Sequence, residues 1–363
     1  MVNKAIPTAP RRVLLVNPTK YLGNLLLAGG LMQAWVQHCF DKGIETRVVL
    51  DDSFRGLCEH SFPEGTLLFF PRRQINSAGI PGKISLYAGF VKQLRQFHAD
   101  IAFNIEEDSA TSHITRLSGA AFRIGCSPRR HKRGYDHVVP VQFENRPAGR
   151  QHRWYSYYEL FAALGMAEPQ QKAYLRLELD RCPDSLAGKL LQSGVNENTP
   201  TIAIHAGATK DYKKWPLEHF AALVKLVQVN GMQPVLIGAG KSDREANAAI
   251  REILALQHCP APPDLCNLLS LEELAYFLKN CRAMVGNDSG PFHLGSAVGI
   301  PGFVMWGPTN RDIWGPLGEQ SEIVQGAYPC DPACNKGYCL HDHRCLKELE
   351  PVAVFSRLTA RLA

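Results

Sequence analysis

The sequence has no run of about 18 apolar residues, so no membrane-spanning helix is expected. Its opening stretch, "MVNKAIPTAPRRVLLVNP", holds no apolar signal core ahead of a small-residue cleavage site. "VLLV" is too short for such a core and reads as a first strand, so a cytoplasmic chain is expected. There is no internal repeat and no low-complexity segment. No Asp-x-Asp follows a strand-like run, so nothing points to an essential catalytic metal. Acidic residues are the minority charge: 34 Asp and Glu stand against 40 Lys and Arg, a formal net charge of +6. That mild excess does not by itself imply nucleic acid. It suits an anionic small ligand or an anionic membrane surface equally well. The basic residues gather in one loop without aromatics interleaved along a strand, which disfavours a nucleic-acid partner.

What the chain does have is length and pattern. Its 363 residues, 45% hydrophobic and 20% charged, suit an ordinary soluble globular protein with two domains. Strand-like runs ("RRVLLVNP", "ETRVVLDD", "GTLLFFPR", "ADIAFNIEE", "AFRIGC") alternate with helical patterns such as "NLLLAGGLMQAWVQHCFDKG", "GKISLYAGFVKQLRQFH" and "RWYSYYELFAALGM". After a polar stretch at residues 180–199 the alternation resumes with "TIAIHAG", "QPVLIGAG", "RAMVGND" and "GFVMWGP". Alternation of this kind predicts parallel sheets built from βαβ units, so the fold class is α/β, with two doubly wound domains facing each other. Ligands of such sheets bind beyond the carboxyl ends of the strands. The residues to inspect therefore follow each apolar run.

Three strand ends of the second half carry chemistry. In "VGNDSGPFHLG", Asp288 or Ser289 can cap a following helix, whose N-terminus also suits an anion. Gly290 permits close backbone approach, and His293 falls on the first turn. Simple capping of a βα unit explains the same residues. In "HAGATKDYKKWP", Gly207 and Ala208 leave backbone amides uncovered, Thr209 adds a hydroxyl and Lys213 a compact positive charge. Together they suit a diphosphate; the plainer alternative is a solvated lysine-rich loop. In "GAGKSDREA", Glu245 or Asp243 could accept hydrogen bonds from ribose hydroxyls, or could serve the helix start.

These three segments and the "WGPT" that follows resemble glycosyltransferase family 9, the lipopolysaccharide heptosyltransferases. Residues 285–309 carry the most specific part of the likeness. The opening "RRVLLVNPTKYLGNLLLAGGLMQAW" is similar to that family's first strand and glycine turn. "CDPACNKGYCLHDHRCLKEL" resembles the tail of its second-heptose branch. The resemblance implies a GT-B fold, two Rossmann-like domains with the active site in the cleft between them, and an inverting transfer, usually from ADP-heptose, that needs no cofactor or metal. It assigns Gly207, Ala208, Thr209 and Lys213 to the diphosphate loop and Asp288, Ser289, Gly290 and His293 to the nucleotide-binding turn. Glu245 falls near the ribose-binding acid. The implied domains are residues 1–178 for the acceptor and 179–345 for the nucleotide sugar. A last helix, 346–363, is expected to pack back toward the first domain.

One departure matters. The family's first turn reads Gly-Asp, and that aspartate is the expected general base; this chain has Gly23-Asn24. A carboxamide cannot take a proton from a hydroxyl. The base is therefore expected in "NIEEDSA", at Asp108 first, because a helix start is the natural place to aim a carboxylate into the cleft, and at Glu106 second. A solvated helix start accounts for that triplet too. Transfer that rests on orientation and leaving-group stabilisation alone stays open. So does a silent chain that binds a nucleotide sugar without turning it over. A family member using another nucleotide sugar is a further alternative. The acceptor, lipopolysaccharide core or a lipid A-linked sugar, calls for basic residues, and Arg72, Arg73, Arg129, Arg130 and Lys132 fit. The basic loop also suits peripheral contact with the anionic inner face of the inner membrane, or is simply solvated.

Of eleven cysteines, seven are scattered and read as reduced fillers. Cys330, Cys334, Cys339 and Cys345 crowd together with His341 and His343, a candidate structural zinc or iron site. No C-x-x-C pair is present among them, and a reduced loop or an adventitious disulfide is the alternative.

Overall fold

The computed structural model describes residues 3–106, 108–126, 134–140, 149–326, 339 and 341–363. The chain divides into two units, Met1–Glu178 and Leu179–Ala363.

The first unit holds β1 (Arg12–Val16), β2 (Glu45–Asp51), β3 (Leu67–Phe70), β4 (Ile101–Asn104), β5 (Phe122–Gly125) and β6 (His137–Val138). All neighbours are parallel, in the order β3-β2-β1-β4-β5-β6. Val13 to Val16 are buried, as a central parallel strand covered on both faces requires. Leu14, Val16, Val49, Phe70, Phe90, Leu94 and Ile114 form one core cluster. Trp35 packs edge-on to Phe103, with Phe161 beside both. The helix Leu22–Asp41 is crossed by the chain at residues 173–175, where Leu175 N–H donates to Leu26 O at 2.9 Å. A Cβ on Gly30 would lie 2.4 Å from Ala173 O, so this crossing needs a glycine.

The second unit holds β7 (Thr201–His205), β8 (Gln233–Leu236), β9 (Ala283–Asn287), β10 (Gly302–Met305) and β11 (Ser321–Val324). They are parallel, in the order β11-β10-β9-β7-β8. Ile202, Ile204, Phe220, Val224, Val285, Phe303 and Met305 anchor its core.

The last helix, Pro351–Leu362, belongs to the second unit. It packs on the helix Leu217–Val229 of the second unit, and its i, i+4 pair Val354 and Leu358 is fully buried in that unit's core. Trp215 Nε1–H also donates to Leu349 O at 2.9 Å just before the helix, and Arg357 pairs with Glu322. An apolar stripe of that width is satisfied where it lies.

No helix among the described residues is long and apolar enough to cross a membrane.

Candidate active site

Each sheet has one place where the chain's winding reverses, and in open α/β sheets ligands bind outside the strand ends at that place. In the first unit it lies between β1 and β4; in the second, between β7 and β9. The sequence-derived candidates fall largely on these two reversals.

In the first unit, Asn24 follows β1 on the helix Leu22–Asp41 and Glu106 follows β4. Asn24 Nδ2–H donates to Glu106 Oε1 at 3.3 Å, and the Tyr157 hydroxyl donates to the same oxygen at 3.2 Å. The Arg153 guanidinium stands 3.7 Å from Glu106 Oε2 and lies over the Tyr157 ring. Arg153 and Tyr157 are one helical turn apart on Arg153–Ala162, which directs both at the same carboxylate. Burial pushes the Glu106 carboxyl above its ordinary range. The Arg153 charge and the hydrogen bonds from Tyr157 and Asn24 offset only part of that rise.

Asp108 sits differently. It is exposed, and its side chain accepts from Thr111 N–H at 2.8 Å as the N-cap of the helix Ser109–Leu117. Arg153 and Tyr157 were not singled out from the sequence; their one signal was the i, i+4 spacing in "RWYSY".

Arg72 and Arg73 open the short helix Arg72–Ser77 beside the ends of β1 and β2. Arg72 pairs with buried Asp51, the last residue of β2, and donates to Pro18 O at 2.6 Å. Arg73 donates to Ser53 O at 3.0 Å and remains exposed. Arg129, Arg130 and Lys132 lie outside the described residues.

In the second unit, Lys213 closes a 3-10 turn, Asp211–Lys213, and its Nζ donates to Asp288 Oδ2 at 2.5 Å. Asp288 is buried, whereas Lys213 keeps 21% of its side-chain surface. Asn287 locks the two strand ends together: Trp215 N–H donates to its Oδ1 at 3.0 Å, and its Nδ2–H donates to Ala206 O at 2.8 Å. Ser289 is the N-cap position of the helix Gly290–Ala297, with no side-chain cap bond of its own. The Ser289 hydroxyl instead lies 3.0 Å from His205 Nδ1, and His205 Nε2 lies 3.1 Å from Asp243 Oδ2. Gly207 and Ala208 are buried at the end of β7, Thr209 is exposed, and His293 is buried on the first turn of its helix.

Glu245 is not gathered with these residues. It is 64% exposed and stands 3.6 Å from Lys241 one turn back on the helix Lys241–Leu256. Asp243 is the residue of that helix turned to the strand ends. It packs so tightly on the backbone that a Cβ on Gly207 would strike its carboxylate.

Of the cysteine cluster, Cys330 and Cys334 lie outside the described residues. Cys345 is buried in the second unit's core, and Cys339 accepts from His343 N–H at 3.2 Å. Among the described residues no three His, Cys, Asp or Glu side chains are grouped to hold a metal ion. A cavity of about 740 Å³ opens near Gly231, Gln233 and Pro234, at the amino end of β8, the end opposite to where such sheets bind ligands.

The sequence pattern of glycosyltransferase family 9 (heptosyltransferase) matches residues 88–342, and the chain belongs to that family. Among curated relatives, lipooligosaccharide heptosyltransferase 2 of Haemophilus influenzae is 29% identical over 158 residues, 43% of this chain and 45% of its own. Lipopolysaccharide heptosyltransferase 3 of Escherichia coli is 23% identical over 314 residues, 82% of this chain and 84% of its own. The chain spans about half the length of the first curated relatives it matches. Among solved structures, the E. coli ADP-heptose lipopolysaccharide heptosyltransferase II superposes with a TM-score of 0.75 at 21% identity, covering 97% of this chain and 98% of that one. That likeness identifies the fold as the GT-B type expected from the sequence.

Proposed function

We propose that this chain is an inverting glycosyltransferase that moves a heptose from ADP-heptose to a hydroxyl of a lipopolysaccharide core acceptor. The observation that carries the reading is the Lys213–Asp288 pair at the reversal point of the second sheet, one residue from the open amino end of the helix Gly290–Ala297. A lysine, two glycine amides and a helix N-terminus at one strand end form a setting for a diphosphate. The names of the relatives supply the sugar and the acceptor class, and the solved E. coli relative is described as an ADP-heptose enzyme.

In this reading the second unit holds the donor and the first serves the acceptor. Glu106 takes the proton of the acceptor hydroxyl as its oxygen attacks the anomeric carbon. The bond from that carbon to the diphosphate oxygen breaks, and ADP leaves with the electron pair. One displacement inverts the configuration. Lys213, Thr209 and the amides at Gly207, Ser289 and Gly290 hold the charge that develops on the leaving group. Glu106 is preferred over Asp108 because burial raises its proton affinity, which makes its ionised carboxylate the stronger base. Asp108, by contrast, is occupied as a helix cap. Exposed Arg73 is placed to meet an acidic or phosphorylated acceptor, with Arg72 fixing the turn beneath it. A lipid A-linked acceptor would put the work at the cytoplasmic face of the inner membrane.

The test is transfer of labelled heptose from ADP-heptose to a deacylated core acceptor, with the product's anomeric configuration read by NMR. Thermal protection by UDP and not by ADP would move the donor to another nucleotide sugar. Binding of ADP with no turnover of any core acceptor would favour a silent, nucleotide-sugar-binding subunit.

A further inference from the structure

The side chains of the hydrogen-bonded chain Ser289–His205–Asp243 have no part in the steps described above. We propose that it is a proton-linked switch for the donor: His205 takes up a proton when a diphosphate binds, and this frees the Ser289 hydroxyl to donate to the diphosphate. The proposal rests on the reading of this strand end as a diphosphate site and adds a rule for how the site is set.

The geometry fixes the proton positions. Burial, the largest single influence, raises the Asp243 carboxyl, but the His205 hydrogen bond and charge, the Ala239 N–H and the Lys214 charge together hold it below the usual carboxylate range. An ionised carboxylate only accepts, so His205 Nε2 carries its hydrogen toward Asp243 Oδ2 at 3.1 Å. In the neutral ring, Nδ1 is then an acceptor, and the Ser289 O–H, 3.0 Å away, must donate to it. That hydroxyl then has no hydrogen left for a phosphate oxygen. Protonation reverses the bond: Nδ1–H donates to Ser289 Oγ, and the hydroxyl hydrogen turns to the ligand. His205 is 2% exposed, so the imidazolium is tolerated only because Asp243 faces it. The tight packing of Asp243 over Gly207 and Gly238 keeps that carboxylate from swinging out to water.

The other charged groups near this chain include the Lys213–Asp288 pair, Lys214 with its partner Asp211, the Lys241–Glu245 pair and Arg244 on the helix of Asp243, Asp264 beside that helix, and buried His293. The three ion pairs are each neutral overall, and Arg244 offsets Asp264. An added diphosphate is therefore the change in charge that favours the imidazolium. His293, on the first turn of the helix that Ser289 precedes, is the other imidazole among these.

The test is calorimetry of ADP-glucose binding in buffers of different ionisation enthalpy. Both phosphates of this probe are esterified, so it carries no proton that titrates near pH 7. The expected result is net proton uptake on binding that diminishes as the pH is lowered, with affinity weakening by up to about tenfold per pH unit where uptake is full. His205→Asn should still bind the probe but with no proton uptake. Binding by the unaltered protein with no proton exchange from pH 5.5 to 8 would overturn the proposal. So would undiminished uptake in His205→Asn, which would assign the proton to His293. Failure of the unaltered protein to bind ADP-glucose, UDP-glucose or ADP would instead overturn the diphosphate reading on which the proposal rests.

Discussion

Asn24 donates to Glu106 Oε1 at 3.3 Å, so the position where the family carries an acid here serves an acid on the neighbouring strand end. The relationship makes a counterintuitive expectation. Asn24→Asp, which restores the family's Gly-Asp turn, should slow the reaction. Two carboxyls this close share one proton, and the raised affinity of Glu106 rises further. Each unit by which it passes the assay pH costs about tenfold in rate, and the acid limb of the pH–rate profile moves to higher pH. A variant at or above the original rate would mean that the introduced carboxylate can serve as base and that its proximity does not disable Glu106.

The same buried carboxyl bears on stability, with a definite sign. Its folded proton affinity is raised, so the folded state binds the proton more tightly than the unfolded chain. Glu106 therefore lowers stability as pH rises from the ordinary carboxylate range through its own shifted value. Melting curves should show the Glu106→Gln variant gaining on the parent as pH increases through that window. A constant difference across it would contradict the shift.

Lys213→Met removes the cation from the leaving group and should lower kcat by about a hundredfold or more. It also leaves buried Asp288 without its partner, which costs up to about 3 kcal/mol, less what water at the partly exposed lysine screens. The double variant Lys213→Met with Asp288→Asn separates the two effects. It should recover most of the melting temperature and none of the activity. Recovery of activity as well would mean that the pair is structural.

Glu273 completes the capping box of the helix Leu271–Lys279 and takes Lys189 at 2.7 Å and Ser185 at 2.6 Å. Burial pushes its carboxyl up, but the Lys189 and Ser185 hydrogen bonds and the Ser270 amide bring it down from 4.5 to about 2. Its contribution is present above the unfolded value and is lost as pH falls from 4.5 toward 2. The melting-temperature gap between the parent and Glu273→Gln should therefore close over that interval. A gap that persists at the lower limit would contradict the shift.

Much of this was legible in the sequence because buried parallel strands read as unbroken apolar runs. "RVLLV", "IAFN", "TIAIH" and "AMVGN" each announced a strand, and the residues after them announced a site. β11, "SEIV", and β6, "HV", were not read because an edge strand is short and half polar. The helix Pro351–Leu362 was visible as a helix, but an apolar stripe does not say which core it joins. The partners of Glu106 were hidden for another reason. Arg153 and Tyr157 lie 47 and 51 positions beyond it, and nothing local ties them to it. His205 fell among the strand-end residues but was given no role, and Asp243 stood close to Glu245, the acid preferred from the pattern. Only the helix phase separates those two: one lies against Gly207 and the other faces water.

The account depends most on which carboxylate takes the acceptor's proton. The direct measurement is kcat for transfer from ADP-heptose by Glu106→Gln and by Asp108→Asn, each checked for folding by its melting temperature. The account expects Glu106→Gln to lose about a hundredfold to ten-thousandfold and Asp108→Asn, which still caps its helix, to stay within about threefold of the parent. An active Glu106→Gln beside an inactive Asp108→Asn would contradict it.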